Sequence, residues 1–247
     1  MNYHDTHFHL DLMPSPEETA RLIEQQKIYT IAVTNSPTVF FYTEKLASDK
    51  KYIRPSLGLH PELVAERYTE VNQFVQMISR TRYIGEIGLD NHNKVPADYK
   101  LQKKAFEKIV LACADAGEKI LTIHSRRAAR DIIDIVGPSF PGKIILHWYS
   151  DTEAQLQKAI KNGYYFSINH PMLHSKTGEE IIKKIPIERL LIETDGPFTK
   201  RGDELFTPLM AGDIQKELAS IISTDNTLSD CEKIISDNFE RLLGKDY

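Results

Sequence analysis

The sequence has few cysteines, no long apolar run and no N-terminal leader pattern. Its two cysteines, Cys113 and Cys231, lie far apart in patterns typical of helices, so we expect reduced thiols, not a disulfide or a zinc knuckle. No uncharged apolar run reaches the roughly 18 residues that a membrane helix requires, and no basic segment followed by an apolar one opens the chain as in a signal peptide. We therefore expect a cytoplasmic protein without a membrane partner.

An excess of basic residues is also missing. The formal net charge is −4 over 247 residues, so the chain as a whole lacks the electrostatic footprint of a nucleic-acid-binding protein. This does not exclude a nuclease, because bound divalent ions add positive charge where a phosphate must lie. Low-complexity tracts and Gly/Ser linkers are absent from the sequence as well, and its length is enough for one full core.

What the sequence contains is a regular alternation of β-rich runs and longer amphipathic stretches. Eight runs are predicted as strands: Tyr3–Phe8, Tyr29–Thr34, Ile53–Leu59, Arg82–Leu89, Lys119–His124, Lys143–His147, Tyr164–Ile168 and Arg189–Thr194. The stretches between and after them are predicted as helices: Pro16–Gln26, Val39–Ser48, Leu63–Ser79, Tyr99–Ala116, Ala128–Ile135, Glu153–Lys161, Glu179–Ile185, Thr207–Ile222 and Ser229–Leu243.

Eight strand–helix units in about 250 residues predict an α/β fold of the (β/α)8 TIM-barrel type, in a single domain of residues 1–247 that ends in a helix near 229–243. The alternative is an open doubly wound sheet. The lack of a Gly-x-Gly-x-x-Gly turn after the first strand argues against that alternative.

Several helix boundaries carry their own signals. Ser15 followed by Pro16 predicts an N-cap with proline at the first helical position. Ser229 and Glu232 have the spacing of a capping box. Glycines at 117, 137 and 163 follow helical stretches at the place where a left-handed cap is expected.

The first strand carries an unusual set of polar residues. Alternate side chains of a strand share a face, so Asp5, His7 and His9 point the same way. The two imidazoles can bind one divalent ion, with the carboxylate orienting a ring. A chance cluster of polar residues near a terminus is the alternative for this segment taken alone.

Later strands supply more side chains of the same kind. The site of such a barrel lies at the C-terminal ends of the strands, where histidines and carboxylates occur on six of the eight: His7 and His9, His60, Glu86 and Asp90, His124, His147, and Glu193 and Asp195. A purely structural protein would place apolar residues or glycine at most of these positions. The set favours two-metal hydrolysis, which requires several histidines and a bridging carboxylate.

The carboxylates suggest individual roles. Glu86 is the best candidate for the bridge, because it lies on a central strand and the flanking glycines leave room. Asp195 can bind one ion and accept the proton of an attacking water. Asp5 and Glu193 each lie two residues before a predicted ligand, and two interpretations stay open for them: orientation of that ligand or a buried ion pair.

Six segments together resemble one family of enzymes. Over its whole length the chain is similar to the TatD family of metal-dependent hydrolases, which are amidohydrolase-like barrels. The resemblance rests on the segments Asp5–Asp11 (DTHFHLD), Gly58–Pro61 (GLHP), Gly85–Asp90 (GEIGLD), Ile123–Arg126 (IHSR), His147–Ser150 (HWYS) and Glu193–Phe198 (ETDGPF). The amino-acid sequences of the segments His124–Ala128 and His147–Ser150 are more similar to those of the TatD-type proteins of Qat anti-phage defence operons than to those of housekeeping members.

This resemblance implies a metal centre and a reaction. By this resemblance, His7 and His9 would bind a first metal with Asp195, Glu86 would bridge, and His124 and His147 would bind the second metal. The cofactors would be two divalent ions, Mg²⁺, Mn²⁺ or Zn²⁺. The implied reaction is hydrolysis of phosphodiesters in DNA, often by a 3′–5′ exonuclease, with single-stranded DNA as the expected substrate and proteins of a defence operon as further partners.

Three residues are candidates for substrate contact. His60 lies at the family's substrate-facing position and could contact a phosphate or protonate a leaving oxygen. Arg126 could clamp a phosphate, because a guanidinium forks onto phosphate oxygens, or it could pair with a carboxylate at the start of the next helix. Trp148 could stack on a base or serve in packing. His4, His92 and His174 are expected to be ordinary exposed histidines.

The chain departs from the family pattern on the substrate side. Asp151 replaces a small residue near the rim, where an acid would repel a phosphate backbone unless it is turned away. The segment Asn169–Met172 replaces a glycine-rich one and adds His170, and residues 201–208 differ from the family's Arg-Asn-Glu-Pro segment. These changes leave two alternatives open: hydrolysis of another ester or amide, such as an aminoacyl ester on tRNA, and a binding subunit of a defence assembly.

Overall fold

The computed structural model describes residues 3–223 and 227–244. Residues 1–2, 224–226 and 245–247, which include both ends of the predicted domain, lie outside that description. Eight strands follow one another along the chain: β1 (His4–Phe8), β2 (Tyr29–Val33), β3 (Ile53–Ser56), β4 (Tyr83–Gly88), β5 (Ile120–His124), β6 (Lys143–His147), β7 (Tyr165–Ile168) and β8 (Leu190–Ile192).

The eight strands close into a barrel. Parallel pairing runs from β1 to β3 and from β4 to β8. Leu57 joins the two sheets on one side, since its N–H donates to the carbonyl of Tyr83 at 3.0 Å. On the other side the Asp195 N–H donates to the carbonyl of His7 at 2.9 Å, and the Thr6 hydroxyl donates to the carbonyl of Ile192 at 3.0 Å. The predicted TIM barrel is therefore confirmed and the open sheet is excluded.

Helices surround the barrel: α1 (Pro16–Gln26), α2 (Pro37–Ala47), α3 (Val64–Arg67), α4 (Glu70–Met77), α5 (Pro96–Ala116), α6 (Ala129–Val136), α7 (Glu153–Lys161), α8 (His170–Leu173), α9 (Lys176–Ile182), α10 (Ala211–Ile222) and α11 (Leu228–Leu243). A small hairpin of β9 (Lys200–Arg201) and β10 (Glu204–Leu205) follows β8. The helix predicted over Leu63–Ser79 is divided into α3 and α4. Among the described residues, no helix combines the length and the apolar character needed to cross a bilayer.

The apolar core has two parts. The larger one lies between the strands and the surrounding helices. The smaller one contains alternate residues of the strands, such as Ile31 and Val33 of β2, together with Phe239, Leu242 and Leu243 of α11. Helix α11 therefore closes the barrel at the end opposite to the C-terminal ends of the strands.

Two predicted helix signals are corrected. The capping box of α11 is formed by Thr227 and Asp230, two residues before the predicted pair, because the helix begins at Leu228. Ser15 is the N-cap of α1 as predicted, but its side chain makes no capping hydrogen bond. The glycine prediction holds only in part: Gly117, Gly137 and Gly163 have positive φ values of +68°, +68° and +79° at helix ends, but ψ values of 160° and −178° place Gly117 and Gly137 outside the left-handed helical conformation.

His4 corrects another prediction. It was expected to be exposed, but only 1% of its surface is accessible. Its ring stacks on that of Phe239 with 4.3 Å between centroids, and neither ring nitrogen has a hydrogen-bond partner. Burial lowers the pKa of His4 to about 3, so the ring is neutral in the folded protein near pH 7.

Candidate metal centre

The C-terminal ends of the strands bring the six predicted metal ligands into one cluster, and Glu86, His124, His147 and Asp195 line a cavity there. The first lies on β1 and the second directly follows it, one each lies on β4, β5 and β6, and the last follows β8: His7, His9, Glu86, His124, His147 and Asp195. The cavity has a volume of about 340 Å³. The cluster that the sequence predicted is therefore present as a spatial unit.

Four atoms form the first half of this unit. His7 Nε2 and His9 Nε2 lie 3.2 Å apart. Glu86 Oε2 lies 3.6 Å from the former and 3.5 Å from the latter. Asp195 Oδ1 lies 3.7 Å and 3.5 Å from the same two nitrogens. A tetrahedral ion with bonds of about 2.1 Å separates its ligands by about 3.4 Å, so these spacings fit a divalent ion.

The other oxygen of Glu86 faces a second set of histidines. Glu86 Oε1 lies 2.8 Å from His124 Nδ1, 2.9 Å from His147 Nε2 and 3.3 Å from His60 Nε2. One carboxylate thus presents one oxygen to the β1 histidines and one to the histidines of the neighbouring strands. This is the arrangement that a bridging ligand requires, and the chemistry of the donor set suits divalent ions on both sides.

His60 differs from the other histidines of the second set. Its Nδ1 accepts a hydrogen bond from the backbone N–H of Glu62 at 3.3 Å. In the neutral ring the proton therefore lies on Nε2, which points to Glu86 and lines the cavity. His60 is placed to donate a proton or a hydrogen bond, and not to offer a lone pair to an ion.

Asp90 is a site residue to which the sequence analysis assigned no role. Its Oδ2 lies 2.7 Å from His124 Nε2, on the side of the ring opposite to Glu86. A carboxylate in this position keeps the proton on Nε2 and leaves the Nδ1 lone pair free for an ion. The signal was present in the sequence, since Asp90 ends the same segment that carries Glu86, but the contact depends on the ring orientation of His124.

Glu193 plays a similar part beside His147. Its carboxylate is fully buried, and Oε1 lies 3.6 Å from His147 Nδ1. Asn169 donates to Glu193 at 2.9 Å, and the Ser167 hydroxyl donates to its other oxygen. Of the two interpretations open for Glu193, the geometry favours orientation of a predicted ligand.

Asp5 fits neither of the two interpretations left open for it, because its carboxylate contacts no histidine ring and, among the described residues, forms no ion pair. Its Oδ1 accepts hydrogen bonds from the backbone N–H groups of His7 and Thr194, both at 3.1 Å, and its Oδ2 accepts from the Thr194 hydroxyl. Burial raises the pKa of Asp5 to about 7. The residue ties β1 to the segment after β8, because its carboxylate satisfies backbone donors on both.

The charges of the cluster are set by burial and by mutual attraction. Burial alone would raise the pKa of Glu86, but the surrounding histidines, with His60 and His147 first, hold it well below its usual range. Burial lowers the pKa of His7, and the neighbouring His147 adds to this effect. An ionised Glu86 and a neutral His7 are the protonation states that binding of a metal ion requires.

The glycines beside Glu86 have a different role from the one predicted. A Cβ on Gly85 would lie 2.8 Å from the carbonyl oxygen of Thr122, and one on Gly88 would lie 2.1 Å from that of His124. Both glycines therefore make room for the backbone of β5. The room they provide sets how closely β4 and β5 approach, and not the space around an ion.

The predicted substrate contacts lie on the cavity wall. Arg126 and Trp148 both line it. Among the described residues the guanidinium of Arg126 forms no ion pair, so the carboxylate pairing considered for it is not observed. Trp148 has a φ of +41° and packs in part against the core. Asn35 and Phe198 also line the cavity and were not predicted; the Phe198 side chain is 59% exposed.

Asp151 is turned away from the cavity. Its Oδ2 accepts a hydrogen bond from the N–H of Ala129 at 3.2 Å, and its Oδ1 accepts from the N–H of Thr152 at 2.6 Å. The carboxylate thus caps the beginning of α6. This orientation meets the condition stated for Asp151, because a carboxylate that is turned away from the cavity does not repel a phosphate there.

Comparisons with known proteins agree with this geometry. The profile of the family described as TatD related DNase matches residues 4–244. The uncharacterized metal-dependent hydrolase YabD of Bacillus subtilis is 27% identical over 259 residues, with 97% of this chain and 98% of YabD covered. The deoxyribonuclease Tat-D of Schizosaccharomyces pombe is 32% identical over 117 residues, which cover 46% of this chain and 37% of that protein.

A solved structure shows the same fold. The crystal structure of YJJV, a TatD homolog from Escherichia coli, superposes with a TM-score of 0.83 at 22% identity, and 97% of each chain is covered. The family profile spans nearly the whole chain, and the barrel carries its histidines and carboxylates where a divalent ion can be held. The chain belongs to the TatD-related DNase family of metal-dependent hydrolases.

Proposed function

We propose that this protein is a DNA phosphodiesterase that uses two divalent metal ions. The observation that carries the proposal is the position of Glu86, whose Oε2 faces His7 and His9 while its Oε1 faces His124 and His147. Two-metal hydrolases place their ions about 3.5–4 Å apart and share a bridging ligand between them. A single-metal enzyme would have no use for ligands on both sides of this carboxylate.

The residues present can hold Mg²⁺, Mn²⁺ or Zn²⁺, because the imidazoles suit Zn²⁺ and the carboxylates of Glu86 and Asp195 suit Mg²⁺ and Mn²⁺. The first ion would lie on His7, His9, Glu86 and Asp195, and the second on Glu86, His124 and His147. Bound there, the ions would polarise a phosphodiester and make water acidic enough to react near neutral pH.

Two side chains of the protein can carry out the proton transfers, one as the acceptor and the other as the donor. Asp195 lines the cavity and can accept a proton from the attacking water. His60 lines the same cavity and carries its proton on Nε2, so it can donate to the leaving oxygen. Arg126 on the wall can balance the charge that develops on the phosphate.

Support for DNA as the substrate comes from the rim. Trp148 and Phe198 line the cavity beside the cluster, and aromatic faces stack on unpaired bases irrespective of sequence. The similar protein from Schizosaccharomyces pombe bears the name deoxyribonuclease. We propose single-stranded DNA as the substrate and, following the resemblance to exonucleases of this family, cleavage in the 3′–5′ direction.

The test is hydrolysis of end-labelled single-stranded DNA with Mg²⁺, Mn²⁺ and Zn²⁺ in turn. We expect Asp195→Asn to lower kcat by at least about 10³-fold, because loss of a proton acceptor alone costs about 10²–10⁴-fold and a ligand is weakened as well. Asp203→Asn, an exposed residue of the hairpin turn, is the matched control and is expected to keep the wild-type rate. An Asp195→Asn variant with near-normal turnover would exclude this role.

A wider set of substrates separates the proposal from its alternatives. A panel that includes an aminoacyl ester, a simple aryl ester and an amide is assayed under the ion that binds best. Metal-dependent turnover of one of these, with DNA left intact, would move the assignment to another bond. A protein that binds metal, cleaves nothing and co-purifies with other proteins would instead be a binding subunit.

A role in anti-phage defence is a further proposal. It is supported by the amino-acid sequences of His124–Ala128 and His147–Ser150, which resemble those of TatD-type proteins of Qat operons. The measurement is the plating efficiency of phage on cells that carry the complete operon with the wild-type gene or with Asp195→Asn. Equal protection by both would show that hydrolysis by this chain does not contribute to defence.

A further inference from the structure

A second group of potential ligands lies outside the central cavity. His170 opens the short helix α8 and His174 directly follows it, so their spacing of four residues places both rings on one face. The ring centroids are 4.1 Å apart. Glu217 of α10 completes the group, with its Oε2 3.0 Å from His174 Nε2. None of the three residues lines the central cavity.

We propose that His170, His174 and Glu217 bind a transition-metal ion, with Zn²⁺ preferred, at a site separate from the central one. The three ligand atoms lie within 4.8 Å of one another. Two imidazoles and a carboxylate form a known three-ligand set for Zn²⁺, with the fourth position open to water. Small rotations close the remaining distance, and they are available because the His174 side chain is 56% exposed.

The surroundings hold the carboxylate and one ring in place. Arg201 Nη2 lies 3.5 Å from Glu217 Oε1, which leaves Oε2 directed to His174. The ring of Phe206 supports both sides of this arrangement: His170 packs against it with 4.8 Å between centroids, and the Arg201 guanidinium lies 5.4 Å from its centre. Oε1 of Glu217 therefore pairs with Arg201, and Oε2 is left to bind a metal ion.

The ligand types decide which ion suits this site. Two imidazole nitrogens and one carboxylate oxygen suit Zn²⁺. Mg²⁺ is expected to bind this site only weakly, because one carboxylate oxygen falls short of the oxygen shell that Mg²⁺ prefers, whereas the central cluster offers the two carboxylates Glu86 and Asp195.

The occupied site would tie α8 to α10. Helix α8 directly follows Asn169, which donates a hydrogen bond to the buried Glu193. Zn²⁺ at this site is therefore expected to stabilise the folded protein without entering the cavity.

The experiment counts metal equivalents. Metal-free protein is titrated with Zn²⁺ in a calorimeter, and bound metal is then measured after equilibrium dialysis. We expect the double variant His170→Ala/His174→Ala to bind one equivalent fewer than the wild type. Lys216→Ala, an exposed neighbour of Glu217 on the same helix, is the matched control and is expected to bind as many equivalents as the wild type.

Two further readouts exclude a trivial result. Glu217→Gln keeps the size of the side chain and is expected to weaken binding of the last equivalent by at least tenfold. Hydrolysis supported by Mg²⁺ is expected to be unchanged in the double variant, which also shows that it is folded. Equal stoichiometry and equal affinity in wild type and double variant would overturn the proposal.

Discussion

At the scale of single residues, two histidine rings of the cluster are held by carboxylates that are not themselves predicted metal ligands. The ring of His124 lies between Glu86 at Nδ1 and Asp90 at Nε2, at 2.8 and 2.7 Å. Asp90 is itself fixed, because its N–H donates to Gln102 and its Oδ1 accepts from the N–H of His92. Such outer carboxylates set the tautomer and the direction of a metal-binding ring.

Asp90→Ala is predicted to weaken the second metal position selectively. Loss of such a partner costs about 10–100-fold in metal affinity or activity, so a higher metal concentration should be needed for half-maximal hydrolysis. Asp90→Asn should recover part of the loss, because its amide oxygen can still accept from His124 Nε2. The measurement is kcat as a function of metal concentration, with the exposed Asp115→Ala as the control. A lower Tm with an unchanged metal requirement would show that Asp90 is only structural.

The positions of the candidate ligands could be predicted from the sequence, whereas the hydrogen bonds of Asp90 and Asp151 could not. A strand end of a barrel points to one rim whatever the details of packing, so His7 or His147 can be placed from its strand alone. The partners of Asp90 and Asp151 depend on ring orientation and on a loop approaching a helix. Each of these contacts joins segments more than twenty residues apart by a single hydrogen bond, and no periodicity in the sequence reports it.

At the scale of elements, the site depends on how closely three strand ends approach. Gly58 follows β3, and its N–H donates to the Thr34 hydroxyl at 3.1 Å. The carbonyl of Thr34, after β2, accepts from the N–H of Glu86 on β4 at 3.0 Å. A Cβ on Gly58 would lie 1.6 Å from that carbonyl oxygen and 2.6 Å from the Glu86 nitrogen. A side chain at position 58 would therefore displace the backbone that carries Glu86.

Gly58→Ala is predicted to lower the free energy of unfolding by about 3 kcal/mol or more, in the range of severe core substitutions, and to weaken metal binding. The matched control is Gly137→Ala: its φ is +68°, but a Cβ there meets nothing within 4 Å. Its ψ of −178° places Gly137 in a backbone region essentially restricted to glycine, where strain alone costs about 1–3 kcal/mol. Urea unfolding at neutral pH measures both variants, and equal small losses would contradict the steric argument.

The order of the elements was predictable, while their ends were less so. All eight strands and the TIM barrel follow from the alternation of patterns, and the strands are confirmed to within one to three residues at each end. The predicted Leu63–Ser79 helix is interrupted after Arg67, although Tyr68 and Thr69 keep helical φ values of −55° and −62°. The helix is interrupted in its backbone hydrogen bonds. An amphipathic sequence pattern reports which side chains are buried and cannot reveal such an interruption.

At the scale of the whole molecule, one end of the barrel carries the candidate site and the other end is closed by a helix. The C-terminal end carries the polar cluster, and the N-terminal end is sealed by α11, where His4 stacks on Phe239. The burial of His4 could not be predicted, because the helix that covers it comes at the far end of the chain. A buried ring with two nitrogens that lack partners cannot be charged without cost, so the seal is sensitive to acid.

His4→Phe is predicted to make the fold less sensitive to acid. The pKa of His4 is about 3 in the folded protein and about 6.5 in an unfolded chain. Between these values the unfolded chain binds more protons, so stability falls as the pH falls from 6.5 toward 3. At pH 4.5 this amounts to about 3 kcal/mol, at 1.36 kcal/mol for each pH unit. Phenylalanine keeps the stacked ring and removes the ionisation.

The measurement is urea unfolding of metal-free wild type and variant at pH 7.5, 6.0 and 4.5. The loss of stability between the highest and the lowest pH should be smaller in His4→Phe by about 2–3 kcal/mol. His4→Leu should behave alike if the charge is the cause, whereas a benefit confined to phenylalanine would point to packing on Phe239. The carboxylates and histidines of the metal centre titrate identically in wild type and variants, so their contribution cancels in the difference. Equal losses in all three proteins would mean that the N-terminal end of the barrel opens to water before His4 is protonated.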